Sequence, residues 1–93
     1  MDRLVRVFTH PACQRCGEAV KISWEHSQAT SGVQLRTVAL ETKAGLAEAQ
    51  REGIKTIPTI IVSQGDRELH RFVGAPSRSE LELAVLGNAP QEA

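Results

Sequence analysis

Two cysteines three residues apart, Cys13 and Cys16, are the residues whose types and spacing most directly indicate chemistry in this chain. At helical spacing their Cβ atoms lie about 5–6 Å apart, and a disulfide needs about 3.8 Å, so a small backbone adjustment closes one. So short a loop gives only about 2 kcal/mol of chain-entropy stabilisation, against about 4.7 kcal/mol for a hundred-residue loop. Reversible redox chemistry therefore explains the spacing better than a structural crosslink does.

The place of the pair at the start of a predicted helix indicates a role for each sulfur. The nucleophile in thiol–disulfide exchange is the thiolate, which a helix N-terminus and the nearby charge of Arg15 both favour. Cys13 is therefore predicted to attack a substrate disulfide, and Cys16, one turn further on and more buried, to resolve the mixed disulfide. His10 precedes Cys13 by three residues and is a candidate proton donor or acceptor, with a solvent-facing turn residue as the alternative.

Two other interpretations of the cysteine pair stay open at this point. Two thiolates at this spacing are half of a zinc site, with His10 as a possible third ligand. The other histidines, His26 and His70, are distant in sequence, so a complete site requires a dimer or an unusual arrangement of ligands. The cysteines could also be inert or act only as a sensor, which would make the domain a binding or redox-sensing module. We expect no metal and no cofactor.

Length and composition exclude several classes of protein. Ninety-three residues support one modest core, so we predict one domain at residues 1–87 and a flexible C-terminal tail at 88–93. Eleven Lys and Arg balance eleven Asp and Glu, which does not indicate nucleic-acid binding. No apolar run approaches the ~20 residues of a membrane span, and residues 1–8 lack the apolar core of a secretory signal. We therefore expect a cytoplasmic monomer that contacts neither nucleic acid nor membrane.

Hydrophobic periodicity and turn residues predict the element order βαβαββα. Predicted strands occupy residues 4–9, 33–40, 59–62 and 68–73, and predicted helices run from 13 to about 30, from the cap Thr42 to the stop Gly53, and from the cap Ser77 to Gly87. The first two strands, separated by a helix, are expected to pair in parallel, and the last two to form a hairpin. The expected fold is α/β, a four-stranded mixed sheet flanked by three helices on its two faces.

Three residues outside the motif are assigned to packing or to the surface. Trp24 lies nearly three turns along the first helix from Cys13, so we predict core packing rather than substrate contact. His26 and His70 are predicted to be surface positions.

The sequence resembles the thioredoxin and glutaredoxin superfamily over about residues 3–87. Cys13-Gln14-Arg15-Cys16 is similar to its active-site motif, residues 53–59 are similar to the stretch that holds its cis-proline, and residues 72–75 are similar to its glycine-bearing end of the fourth strand. The resemblance implies a thioredoxin fold, a cis peptide between Ile57 and Pro58 beside the cysteines, and substrate binding by Ile57, Pro58 and Gly74. Without it, a trans proline at the start of an edge strand is the simpler interpretation of Pro58.

Some residues differ from the family pattern, and these differences indicate which kind of substrate and reductant to expect. Val7 stands where thioredoxins hold a buried aspartate, and Ala12 replaces the usual tryptophan. Gly74 leads into Ala75 rather than the Gly-Gly and acidic pair of glutathione-binding glutaredoxins. The expected activity is thiol–disulfide exchange with a disulfide-containing protein or a small-thiol substrate, with a dithiol reductase as the source of electrons, in preference to glutathione chemistry.

Overall fold

Seven elements follow one another in the order βαβαββα in a computed structural model that describes residues 2–86. The strands are β1 (Arg3–Thr9), β2 (Val33–Ala39), β3 (Thr59–Gln64) and β4 (Arg67–Val73), and the helices are α1 (Cys16–Ala29), α2 (Lys43–Arg51) and α3 (Arg78–Val85). The predicted order and fold class are confirmed. The predicted tail at residues 88–93 and the predicted stop at Gly87 lie outside the described residues.

The four strands form one mixed sheet in the order β2-β1-β3-β4. β1 pairs in parallel with β2 and antiparallel with β3, and β3 pairs antiparallel with β4, as expected for a βαβ unit followed by a hairpin. The central strands β1 and β3 bury apolar side chains on both faces, and in β1 Val5, Val7 and Phe8 are fully buried. Because β1 lies between β2 and β3, its last residue, Thr9, is at the middle of one edge of the sheet. The loop that carries the cysteines begins there.

Helices cover both faces of the sheet, as predicted. On one face, α1 and α3 pack over Val5, Val7, Ile60 and Val62. On the other face, a smaller cluster joins α2 to the sheet through Phe8, Val38, Ala49 and Ile61. Adjacent residues such as Val7 and Phe8 serve opposite clusters because side chains alternate along a strand. Within residues 2–86, no helix is long and apolar enough to cross a membrane.

The predicted caps of the last two helices are confirmed. Thr42 accepts a hydrogen bond of 2.9 Å from the amide of Gly45 at the start of α2. At the start of α3, the Ser77 hydroxyl accepts from the Glu80 amide (3.1 Å) and the Glu80 carboxylate accepts from the Ser77 amide (2.8 Å). These bonds satisfy amides that have no partner inside the helix, so residues close in sequence determine where both helices begin.

Helix α1 begins at Cys16, three residues later than predicted. The Cys13 amide donates a hydrogen bond of 2.9 Å to the carbonyl oxygen of His10, which closes a turn around Pro11 before the helix starts. Cys13 therefore lies just outside the N-terminus of α1 rather than on the helix.

The predictions for Trp24 and His26 are wrong. The Trp24 side chain is 54% exposed, whereas His26 is only 4% exposed. The stripe of α1 that packs against the core carries Ala19, Ser23 and His26, which follow one another at intervals of four and three residues. Trp24 follows Ser23 by one residue and therefore points about 100° away from this stripe. His70 is half-buried, with its ring centroid 4.4 Å from that of Phe72.

Candidate active site

The loop between β1 and α1 holds Cys13 and Cys16, which are joined by a disulfide with their Cα atoms 5.5 Å apart. Cys16 is the first residue of α1 and is 4% exposed, while Cys13 in the preceding turn is partly exposed. The two sulfurs therefore differ in access. A partner approaching from solvent reaches Cys13 first.

His10 is tied into the same turn. Its Nδ1 accepts a hydrogen bond of 3.0 Å from the amide of Ala12. In the neutral imidazole the acceptor nitrogen carries no proton, so the proton is on Nε2, which can donate. His10 also lines both of the grooves that flank Cys13. His10 and the partly exposed Cys13 therefore face the same grooves.

The N-terminus of α1 faces Cys13 with its amides uncapped by a side chain. Arg15 occupies the N-cap, and within the described residues no side chain accepts a hydrogen bond there. These amides give the helix end a partial positive charge that favours a thiolate just beyond it. The Arg15 guanidinium is 72% exposed and lies 4.0 Å from Glu18, so solvent and this carboxylate weaken its own effect.

The first groove brings together residues that are far apart in sequence. It has a volume of about 390 Å³ and is lined by Cys13 and Ile57, with His10, Ala12, Gln14 and Arg15. The peptide bond between Ile57 and Pro58 is cis, and Pro58 is buried. The carbonyl oxygen of Pro58 accepts a hydrogen bond of 2.7 Å from the amide of Gly74. Of the three predicted substrate-binding residues, Ile57 therefore lines the groove beside the exposed sulfur, while Pro58 and Gly74 do not line it but hold the loop before β3 against the end of β4.

The second groove includes residues that the sequence analysis did not identify. It has a volume of about 440 Å³ and is lined by both cysteines, Gly17, Val20 and Glu41, with Thr9, His10, Pro11 and Gln14. Glu41 reaches the site because the amide of Leu40 donates to the carbonyl oxygen of Thr9 over 2.8 Å, which extends the β1–β2 pairing. The signal was present in the sequence, since parallel neighbours end at the same sheet edge.

Two further expectations concern buried carboxylates and metal ions. Val7 is fully buried in the apolar cluster beneath the loop, so a hydrocarbon side chain occupies the position at which thioredoxins hold an aspartate. Among the described residues, no group of three or more His, Cys, Asp or Glu side chains is arranged to hold a metal ion.

Comparison with known proteins adds to this geometry. No family model matches the sequence. Two curated proteins named probable thioredoxin are similar to it: one from Archaeoglobus fulgidus is 27% identical over 82 residues, covering 88% of this chain and 85% of the relative. The other, from Methanothermobacter thermautotrophicus, is 28% identical over 81 residues, covering 87% and 89%. The solved structure of oxidised mitochondrial thioredoxin 3 from Saccharomyces cerevisiae matches with a TM-score of 0.77 at 19% identity, covering 91% of this chain and 77% of that chain.

The fold and the sequence relatives both indicate a thioredoxin-like protein. The mixed four-stranded sheet with three helices is the thioredoxin fold. Similarity to two probable thioredoxins extends over most of the chain, including the cysteine loop. The resemblance to the thioredoxin/glutaredoxin superfamily found in the sequence is therefore confirmed. Its close Cys13–Cys16 pair supports thiol–disulfide oxidoreductase activity.

Proposed function

We propose that this protein is a thiol–disulfide oxidoreductase that cycles between the Cys13–Cys16 dithiol and its disulfide. The Cys13 thiolate attacks one sulfur of a substrate disulfide, forming a mixed disulfide and releasing one substrate thiolate, which takes up a proton. The Cys16 thiolate then attacks the Cys13 sulfur and releases the second substrate thiol. The substrate gains two electrons and two protons, and the enzyme is left oxidised.

The observation that carries this proposal is the difference in exposure between two bonded sulfurs. Cys13 is partly exposed and Cys16 is 4% exposed. An exposed attacking sulfur can reach a partner, while a buried resolving sulfur is protected from external oxidants yet remains within bonding distance of its neighbour. A purely structural crosslink over three residues would contribute little stability.

The neighbours of the pair are assigned supporting roles in this proposal. His10, which uses Nδ1 to hold the turn, would exchange protons with the departing thiolate through Nε2. Arg15 would add a weak, screened positive charge at Cys13. Ile57 would pair its backbone with an extended substrate segment, with Pro58 and Gly74 holding its loop in place.

The broader setting is also proposed. The substrate is a disulfide in a protein or a small thiol compound, and a dithiol reductase returns the enzyme to its reduced form. We propose that the chain acts in the cytoplasm as a monomer, with residues 1–87 as a single domain followed by a short tail. The absence of the Gly-Gly motif of glutathione-binding glutaredoxins favours a thioredoxin-like partner over glutathione.

Single-cysteine variants test the function directly. The Cys13→Ser protein should not reduce 2-hydroxyethyl disulfide or insulin, because the attacking sulfur is gone. The Cys16→Ser protein should attack once and accumulate a mixed disulfide through Cys13, visible by mass spectrometry without reductant. Reduction by Cys13→Ser at the wild-type rate would disprove the proposal. Zinc bound to reduced protein at one ion per two chains would instead support the alternative of a metal-binding dimer.

A further inference from the structure

Trp24 is an exposed aromatic residue that the redox chemistry leaves unexplained. It is the only tryptophan in the chain, and 54% of its side chain is accessible although it lies in the middle of a regular helix. Burying a tryptophan removes about 150–250 Å² of surface from water, and tryptophan is enriched among residues that dominate binding energy at protein interfaces. A large exposed ring on a rigid helix is therefore a candidate contact.

The ring stands on the same side of α1 as the second groove. Val20 precedes Trp24 by one helical turn and Gly17 precedes it by seven residues, so the three positions follow one line along the helix. Gly17 and Val20 line the second groove together with Cys13. The line therefore begins at the cysteines and ends at Trp24, and the helix rises about 12 Å from Cys16 to Trp24.

Lys21 adds a positive charge beside the line formed by Gly17, Val20 and Trp24. Lys21 is exposed and lies between Gly17 and Trp24 on the outer surface of α1. Among the ion pairs formed within residues 2–86, none includes Lys21. We call the surface formed by Gly17, Val20, Lys21 and Trp24 the α1 strip. It offers an apolar contact with one unpaired cation, and it is continuous with the groove at the reactive sulfur.

We propose that the α1 strip docks the protein substrate, by contacting an apolar surface that carries a carboxylate and lies beside the substrate's disulfide. This inference rests on the proposed oxidoreductase function and names the surface that would recognise its protein substrate. A molecule that exchanges with Cys13 and also covers Trp24 must extend about 12 Å along the helix. A small disulfide with two-carbon arms fills the groove but does not reach the indole.

A second copy of this chain fits the α1 strip less well than a different protein does. Two-fold pairing of identical helices through this strip brings Lys21, near its centre, opposite Lys21 of the second copy. Like charges opposed across an interface are unfavourable. A partner carboxylate at that place forms an ion pair instead.

Substrate selectivity of a Trp24→Ala variant tests the proposal. We compare kcat/KM for insulin, as the protein disulfide, with kcat/KM for 2-hydroxyethyl disulfide. The ratio of the two should fall about tenfold, which corresponds to about 1.4 kcal/mol. Lys21→Glu should lower the same ratio, by a factor that shrinks at high salt. Leu46→Ala is the matched control, because Leu46 is 45% exposed on α2, against the other face of the sheet, and its replacement should leave the ratio unchanged.

Fluorescence provides an independent measurement, because Trp24 is the sole tryptophan here and insulin has none. The mixed disulfide of Cys16→Ser with an insulin chain should shift the emission to shorter wavelength, and the mixed disulfide with 2-mercaptoethanol should not. An unchanged kcat/KM ratio or an unshifted emission would overturn the docking proposal. So would a dimer in sedimentation that Trp24→Ala dissociates. If Cys13→Ser still reduces both substrates, the proposed function itself fails, which is a different outcome.

Discussion

The amide of Gly74 donates a hydrogen bond of 2.7 Å to the carbonyl oxygen of Pro58, which fixes the end of β4 against the loop before β3. Gly74 has a φ of +94°, a region that residues with a side chain rarely adopt. A Cβ at this position meets no atom within 4 Å, so only the backbone conformation, and not crowding, requires glycine here. The loop that places Ile57 beside Cys13 is therefore held by a residue with a special backbone geometry.

Replacing Gly74 by Ala should destabilise the fold by about 1–2 kcal/mol, because the new side chain disfavours the left-handed conformation. Urea unfolding followed by circular dichroism measures the change. Gly17→Ala is the control, since Gly17 lies in α1 at negative φ with open space around its Cα, and it should be neutral or stabilising. Equal effects of the two substitutions would contradict a special role for the backbone at Gly74.

The two cysteines of the reduced protein should react at different rates with iodoacetamide. Cys13 is partly exposed and precedes an uncapped helix end, whereas Cys16 is 4% exposed. We expect Cys13 to be alkylated at least about tenfold faster, because access and thiolate character both favour it. Peptide mass spectrometry after short reaction times gives the two rates. Equal rates in the wild type, or faster modification of Cys16, would contradict the assignment of attacking and resolving sulfurs.

Local signals in the sequence were sufficient to predict most of the fold. Thr42 and Ser77 cap their helices as predicted, because a capping side chain bonds to an amide only three residues away. Alternating side chains placed every strand to within two residues of its observed limits. The start of α1 was predicted too early because the turn hydrogen bond from Cys13 to His10 competes with the first helical turn.

The active site was only partly predictable. Spacing alone identified Cys13 and Cys16, but nothing in the residues around Ile57 indicates a position beside them; that came from the family resemblance. Hydrophobicity misplaced Trp24, because a shift of one residue along α1 turns a side chain by about 100°. Glu41 was missed because its proximity arises from strand pairing across the sheet, which a linear scan for motifs does not include.

An ion-pair network on the α2 side of the sheet should make stability depend on acidic pH. Hydrogen bonds from Arg36 and then Arg6 lower the pKa of Glu48 to about 2 from 4.5, and the contact distances are 2.6 Å to Arg36 and 2.8 Å to Arg6. Because the folded pKa is lowered, the stabilisation is complete above pH 4.5 and is lost as pH falls toward 2.

Glu48→Gln should therefore cost about 1–3 kcal/mol at pH 7, with a difference from wild type that disappears between pH 4.5 and about 2. Chemical denaturation at several pH values measures this. Glu82→Gln removes an exposed pair with Arg78, 3.5 Å apart, and should change stability by less than about 0.5 kcal/mol at pH 7. A Glu48→Gln difference that persists unchanged at pH 2 would show that packing, not charge, accounts for the loss.

His26 should make stability depend on pH near neutrality as well. It is 4% exposed, and neither ring nitrogen has a hydrogen-bond partner among the described residues. Burial lowers its pKa from 6.5, partly opposed by the carboxylate of Glu82, and the charge of Arg78 lowers it further. The unfolded chain therefore binds the proton more tightly than the folded one, and stability should fall as pH drops below 6.5.

His26→Leu should remove this dependence and stabilise the protein more at pH 5 than at pH 8, because an apolar side chain of similar size leaves no buried polar atom unpaired. Ser23→Ala is the matched control on the same face of α1, since its hydroxyl is also buried without a partner in the described part of the chain but does not titrate. Its effect should be equal at both pH values. Denaturant midpoints of the wild type, His26→Leu and Ser23→Ala at pH 5 and pH 8 measure these effects. If His26→Leu raised stability equally at both pH values, protonation of His26 would be ruled out as the cause.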